Sequence, residues 1–233
     1  SLTWRTDAWV GCGAPSTALA VTRAVAAEEA GAALVIAVPP FYLHPTPAAI
    51  ARYYRALHDA IQIPLMAYNI PSLVGYALAP ALVHELARDR VLVGVKDTSG
   101  TIESVRSFLR DRPEDFAVMP GNDPLALESM RSGASGAVMG LANIAPKLAV
   151  ELVAAARTGP PERAEELQAL VQALAQVVAA GPFPSTVKYL AERLRRSEVG
   201  YRAPYDPLSE EETTRVLAAL APIEPKLAPF VGP

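Results

Sequence analysis

The sequence predicts an α/β protein: a (β/α)8 TIM barrel followed by a C-terminal helical extension, with six of the eight barrel units legible in its 233 residues. Three observations carry this expectation. Short apolar runs alternate with helical stretches, which argues for a parallel sheet. Beyond residue 158 the alternation gives way to helical patterns alone, so residues 1–158 are expected to form the partial barrel and 159–233 a helical domain. Polar residues gather where consecutive runs end, and in a barrel that rim carries the chemistry.

Residues 8–12 form a short apolar run, then Ser16 is placed to cap a helix over 17–30, which Gly31 ends. The run 33–38 is uninterrupted, as in a strand buried on both faces. Helical spacing follows over 46–60, a strand over 64–68, a turn at Asn69-Ile70-Pro71 and a helix over 80–88. Three more pairs follow: strand 91–96 with helix 101–109, strand 116–119 with helix 124–131, and strand 136–140 with helix 146–157. The stretches 163–179, 185–195 and 209–219 are helical without strands between them. Eight units close a barrel, and the first two of the eight are the ones expected to be absent. An open doubly wound sheet of six strands is the alternative, but the sequence has no Gly-rich phosphate loop to go with it.

Composition narrows the function classes. The net charge is −3 with both signs interspersed, so no basic stripe points to nucleic acid or a membrane surface. One cysteine, Cys12, cannot form an internal disulfide, and a cytoplasmic home is expected. No apolar run approaches the roughly 20 residues of a membrane span, and the first residues lack the apolar segment of a signal peptide. His44, His58 and His84 are scattered, two of them on helices expected to lie outside, and no spacing suggests a metal site.

Lys96 is the sharpest signal, because it ends the strand run Val91-Leu92-Val93-Gly94-Val95. Inside a barrel its charge is costly. A lysine amine must be neutral to attack a ketone, and burial favours that form. The competing reading is an ion pair with Asp97 or a side chain reaching to the rim. The strand pattern alone leaves the two level. Tyr68 ends the preceding strand, and its phenol suits either proton relay or an amphipathic core position. Tyr42 either reaches a neighbouring site or packs under its Pro-rich loop. Gly121-Asn122-Asp123-Pro124 reads as a turn in which Asp123 caps the next helix, with amides also able to hold an anion. Cys12 reads as a small buried hydrophobe.

Taken together, Pro40-Phe41-Tyr42, Tyr68-Asn69-Ile70-Pro71, Gly94-Val95-Lys96-Asp97-Thr98-Ser99-Gly100, Gly121-Asn122-Asp123, the run from Gly136 to Asn143 with Pro146, and Pro182-Phe183-Pro184 with Val187-Lys188 resemble the dihydrodipicolinate synthase / N-acetylneuraminate lyase family. The resemblance runs from about residue 8 to the end. It implies a homotetramer or homodimer and an imine between Lys96 and pyruvate or another 2-keto acid, with no cofactor or metal. It makes Tyr68 the proton relay and Tyr42 a residue completing a neighbouring subunit's site. It places Asn69, Gly121 and Val138 at the substrate, with the Val138 backbone approaching the keto acid. Two departures stand out. The Gly-Thr-Thr-Gly-Glu motif of the family, which would lie on the second strand, is not in the sequence; a protein truly lacking the first two barrel units is expected to be inactive, and one that has them beyond these residues is expected to be active. Leu73 stands where dihydrodipicolinate synthases carry an arginine for the aspartate semialdehyde carboxylate, and Val74 replaces a Thr or Ser. A leucine cannot pair with a carboxylate. The expected function is therefore a Schiff-base aldolase or dehydratase acting on a 2-keto acid such as a 2-keto sugar acid, with pyruvate as product or co-substrate. The alternatives are 4-hydroxy-tetrahydrodipicolinate (dihydrodipicolinate) synthase and a non-catalytic keto-acid-binding homologue.

Overall fold

The computed structural model describes residues 6–195 and 198–231. The described strands are β1 (Trp9–Gly11), β2 (Leu34–Ala37), β3 (Leu65–Asn69), β4 (Gly94–Asp97) and β5 (Ala117–Pro120). They form one parallel sheet in which each strand pairs with the next in the chain. A doubly wound sheet reverses its strand order at a switch point. This order never reverses, which rules out the open alternative and is the order of a barrel wall. Helices α1 (Thr17–Glu29), α2 (Pro47–Ala60), α3 (Pro71–Val74), α4 (Pro80–Arg88) and α5 (Ile102–Leu109) occupy the connections.

Side chains alternate between the two faces of the sheet. One face carries the registered row Ala37, Ala67, Val95 and Val118. This row is fully buried and shares a core with Tyr54, Leu57, Leu86 and Phe108 from the helices. The other face carries Ile36, Met66, Gly94 and Ala117, and one step further along the strands Tyr68, Lys96 and Met119.

By packing, the chain divides into two units: Ser1–Pro120 with Ser132–Gly136, and Gly121–Arg131 with Ala137–Pro233. The 158/159 boundary read from the sequence marks the end of strand–helix alternation, and packing does not follow it. In the second unit a 3-10 turn (Asp123–Leu125) leads into α6 (Ala126–Arg131), followed by α7 (Pro146–Thr158), α8 (Pro161–Ala179), α9 (Ser185–Arg195), α10 (Glu210–Leu220) and α11 (Glu224–Leu227). Leu148, Leu152, Leu167, Leu174, Leu190 and Leu220 are among its buried core residues. A reciprocal capping box between Ser209 and Glu212 starts α10, and these hydrogen bonds hold the Glu212 carboxyl below its usual range. No helix among the described residues is long and apolar enough to cross a membrane.

Three expectations need correction. Residues 136–140 are not a strand. The Ser135 amide donates to the Val118 carbonyl at 2.9 Å, but the Val118 amide donates to the Ser135 hydroxyl at 3.3 Å. A side chain thus takes the place that a sixth strand's carbonyl would fill. The strand expected over 91–96 begins only at Gly94, because the amides of Val91 and Leu92 donate back to the Leu86 carbonyl at the end of α4. His84, expected on an outer surface, is buried and hydrogen-bonds the Phe108 carbonyl at 3.0 Å, tying α4 to α5.

Gly94 is required by close approach. A Cβ there would lie 2.6 Å from the Ala117 carbonyl oxygen and 2.8 Å from the Met66 Cε. Gly94→Ala is expected to destabilise the protein by about 1–3 kcal/mol in urea denaturation, through overpacking. Gly11→Ala, in the same registered row but with nothing within 4 Å of its Cβ position, is the control and should unfold within about 0.5 kcal/mol of the unsubstituted protein.

Candidate active site

The register between β3 and β4 builds the site. Tyr68 pairs with Lys96 and Asn69 with Asp97. Consecutive residues face opposite sides of the sheet, so each pair occupies its own face. On the face away from the helices, Lys96 Nζ lies 3.9 Å from the centroid of the Tyr68 ring. Such a contact is worth about 0.5–1 kcal/mol where water has access. On the other face Asn69 and Asp97 are 1% and 2% exposed. The Asn69 Nδ2 donates to Asp97 Oδ1 at 2.6 Å, and Asn69 Oδ1 accepts the Leu78 amide at 2.9 Å. Ser99 Oγ donates to Asp97 Oδ2 at 2.9 Å, and the Thr98 amide donates to the Asn69 carbonyl at 2.8 Å, carrying the ladder one residue past β4.

Asp97 projects to the opposite face with both oxygens engaged, so the ion pair with Lys96 does not form. Lys96 is half-buried over an aromatic ring. Two residues on, the Thr98 hydroxyl is buried without a hydrogen-bond partner.

Other tyrosines hold the strand ends. The hydroxyls of Tyr53 and Tyr54 donate to the carbonyls of Val38 and Ala37, each at 3.1 Å, and the Ala14 amide reaches the Tyr53 hydroxyl at 3.4 Å. The Tyr76 hydroxyl donates to the Pro40 carbonyl at 2.6 Å, while its ring meets His44 edge-on at 5.1 Å. Gly75, with φ 93°, allows this approach, since a Cβ there would lie 2.8 Å from His44 Nε2. Burial pushes the phenols of Tyr53 and Tyr76 up to about 12 and raises Tyr54 strongly, so these three act as fixed donors and not as proton shuttles.

Tyr42 is on the loop after β2, with φ 78° and 89% of its surface exposed. It therefore does not pack under its loop. Leu73, in α3, is 76% exposed, and Val74 is buried. Cys12 is buried, and desolvation raises its thiol pKa even though Arg23 is close by, which leaves an unreactive packing residue. Gly121 and Val138 are half-buried and belong to the second unit. Asp123 does not cap the helix that follows. It is the first residue of the 3-10 turn, and its Oδ2 accepts the Leu141 amide at 3.2 Å. The buried Gln168 anchors that turn, accepting the Leu127 amide and donating to the carbonyls of Asp123 and Pro124. Among the described residues no group of three or more His, Cys, Asp or Glu is placed to hold a metal ion.

The sheet thus brings together Lys96 and Tyr68, whereas Asn69, expected at the substrate, is buried on the opposite face with Asp97, and the loop after β2 carries Tyr42. The sequence reading missed the anchoring roles of Tyr53, Tyr54 and Tyr76 and the orphan hydroxyl of Thr98. Only the adjacent Tyr53-Tyr54 pair on a helix face offered a signal.

Residues 5–223 match the Dihydrodipicolinate synthetase family. The 4-hydroxy-tetrahydrodipicolinate synthase of Dechloromonas aromatica is 34% identical over 210 residues, which are 90% of this chain and 72% of that protein. The solved structure of the 4-hydroxy-tetrahydrodipicolinate synthase from Methylacidiphilum fumariolicum superposes with a TM-score of 0.89 at 27% identity, covering 97% of this chain and 75% of its own. A chloride-inhibited dihydrodipicolinate synthase from Acinetobacter baumannii, solved with pyruvate, gives 0.87 at 30% identity, covering 97% and 76%.

Two measurements check this geometry. Asn69→Leu leaves the buried Asp97 carboxylate and Leu78 amide short of a partner, and should lower unfolding stability by about 3 kcal/mol. The double variant with Asp97→Leu should lose less than the sum of the two single changes. In alkali, Tyr53 and Tyr76 ionise near 10 when unfolded but near 12 when folded. Their stabilising contribution is complete below pH 10 and falls away between 10 and 12. Tyrosinate absorbance followed with circular dichroism should show these phenols ionising together with unfolding; ionisation of all eight tyrosines in a folded chain would contradict their burial.

Proposed function

Since the chain belongs to the dihydrodipicolinate synthetase family, whose members are lyases, we propose that it acts through an imine between Lys96 and a 2-keto acid such as pyruvate. The observation that carries this is the placement of Lys96: half-buried, without a carboxylate partner among the described residues, and registered beside Tyr68. A pyruvate complex of a similar synthase supports the ligand class. The neutral Lys96 amine adds to the keto carbon, and loss of water gives the imine. In an aldol cleavage the bond between C3 and C4 breaks, its electron pair passes to the imine nitrogen, and the C4 hydroxyl gives up its proton. An enamine and an aldehyde result. Tyr68 relays protons to and from the carbinolamine. In this reading the Gly121 and Val138 backbones approach the keto acid, Asn69 holds the β3 end, and Tyr42 completes the site of a neighbouring subunit in a homotetramer or homodimer.

For the second reactant we propose a hydroxylated carbon chain, as in a 2-keto sugar acid. The exposed Leu73 offers nothing to a second carboxylate. The second reading, 4-hydroxy-tetrahydrodipicolinate synthase, is favoured by the relative's name; it requires a cation other than residue 73 for the semialdehyde carboxylate.

Borohydride reduction in the presence of pyruvate should yield a covalent adduct on Lys96, detected by intact and peptide mass. Lys96→Ala should abolish it. Tyr68→Phe should slow imine turnover by about 10²–10⁴-fold while trapping persists. Absence of any adduct with pyruvate or a longer 2-keto acid would leave only a non-catalytic homologue. Turnover of aspartate semialdehyde with pyruvate, and none of 2-keto sugar acids, would establish the synthase.

A further inference from the structure

The second unit holds a cavity of about 390 Å³ built entirely from its own residues. That volume lies in the range of small-molecule sites. One wall is a single stripe of α9, on which Val187, Lys188, Ala191 and Arg195 recur at helical spacing. Phe183 and Val199 extend the apolar surface, and Phe183 leaves 74% of its area exposed, which a ligand in the cavity would cover. Among the described residues the charged ones lining the cavity are Lys188 and Arg195, both cations, in a chain whose net charge is −3.

Both cations are held in place by backbone. Lys188 Nζ donates to the Gly200 carbonyl at 2.7 Å and faces the Tyr201 ring at 5.7 Å; Arg195 Nη1 donates to the Asn143 carbonyl at 3.0 Å. A carbonyl positions a cation without neutralising it. Two ammonium hydrogens of Lys188 and four guanidinium hydrogens of Arg195 remain to donate, and neither residue meets a carboxylate among the described residues. An apolar wall flanked by fixed, unneutralised cations is complementary to a molecule with an anionic head and an apolar body. The planar fork of arginine matches a carboxylate in particular.

We propose that this cavity is a binding site for a small organic carboxylate with an apolar body. The carboxylate meets Arg195, with Lys188 adding a second positive charge. The apolar body lies along Val187 and Ala191 and covers Phe183.

The test titrates the native chain with anilinonaphthalene sulfonate, followed by fluorescence, and competes the probe with phenylbutyrate, the neutral phenylbutyramide and the cationic phenylbutylamine. One probe should bind per chain, with phenylbutyrate displacing it at least about tenfold more strongly than the amide, as expected for a charge-assisted hydrogen bond. The amine should not compete. Arg195→Gln, Lys188→Gln and Phe183→Ser should each weaken phenylbutyrate binding about fivefold or more in proteins that melt like the unsubstituted chain. Equal competition by acid and amide, displacement by the amine, or unaltered binding in all three variants would overturn the proposal. Pyruvate trapping at Lys96 in the same variants should be unchanged, so failure here and failure of the imine reading give different results.

Discussion

The hydrogen bond between Asn69 and Asp97 sits on the face of the sheet opposite Lys96 and Tyr68, yet the placement of those two side chains depends on it. Asp97 follows Lys96 directly, and Asn69 follows Tyr68. Joining the second pair at 2.6 Å in a nearly water-free position fixes the register of the first. A slip of one residue would exchange the two faces, sending a buried carboxylate to the lysine's side and the lysine into the helical core. Such a slip is opposed by the hydrophobic row of Ala67 and Val95 and by the polar partners that only the observed register supplies to Asp97. Unpaired buried charge is among the most destabilising features a fold can carry.

Around that bolt the structure uses two further devices. Gly94 lets β4 approach β5 closely enough for Lys96 to rise beside Tyr68 on a tightly packed row. Two buried phenols, Tyr53 and Tyr54, and the half-buried Tyr76 fasten strand ends and loops by donating to backbone carbonyls. These phenols share a side-chain type with Tyr68 but not its surroundings. Their hydroxyls are spent on carbonyls, whereas Tyr68 presents its ring to an amine.

Much of this was legible in the sequence. Uninterrupted apolar runs marked β2 to β5, because a strand buried on both faces needs little else. Thr46, Thr101 and Ser209 cap α2, α5 and α10, each accepting the amide three residues on, whereas Ser16, the cap read from the sequence, makes no side-chain cap bond. Lys96 and Tyr68 stood out as candidates because polar residues at the ends of apolar runs are conspicuous, and the register sets them side by side. What sequence could not resolve was direction and competition. The fate of residues 136–140 turned on whether a hydroxyl or a strand carbonyl takes the Val118 amide. Asp123 looked like a cap until the Leu141 amide, 18 residues away, claimed its carboxylate. The ion pair between Lys96 and Asp97 was plausible on spacing alone and impossible once the two faces of the sheet were distinguished.

The consecutive strand order bears on how the chain acquires its shape. Pairing joins Val10 to Val35, Ile36 to Met66, Ala67 to Val95 and Val95 to Val118. Each closure spans about one βα unit, so the entropy of bringing partners together is nearly the same at every step. Among the described residues no strand pairing waits for a distant segment to be made. Nascent chain emerging from a ribosome can therefore dock each strand on its predecessor as it appears, with the apolar face of the newest strand awaiting only the helix that follows it.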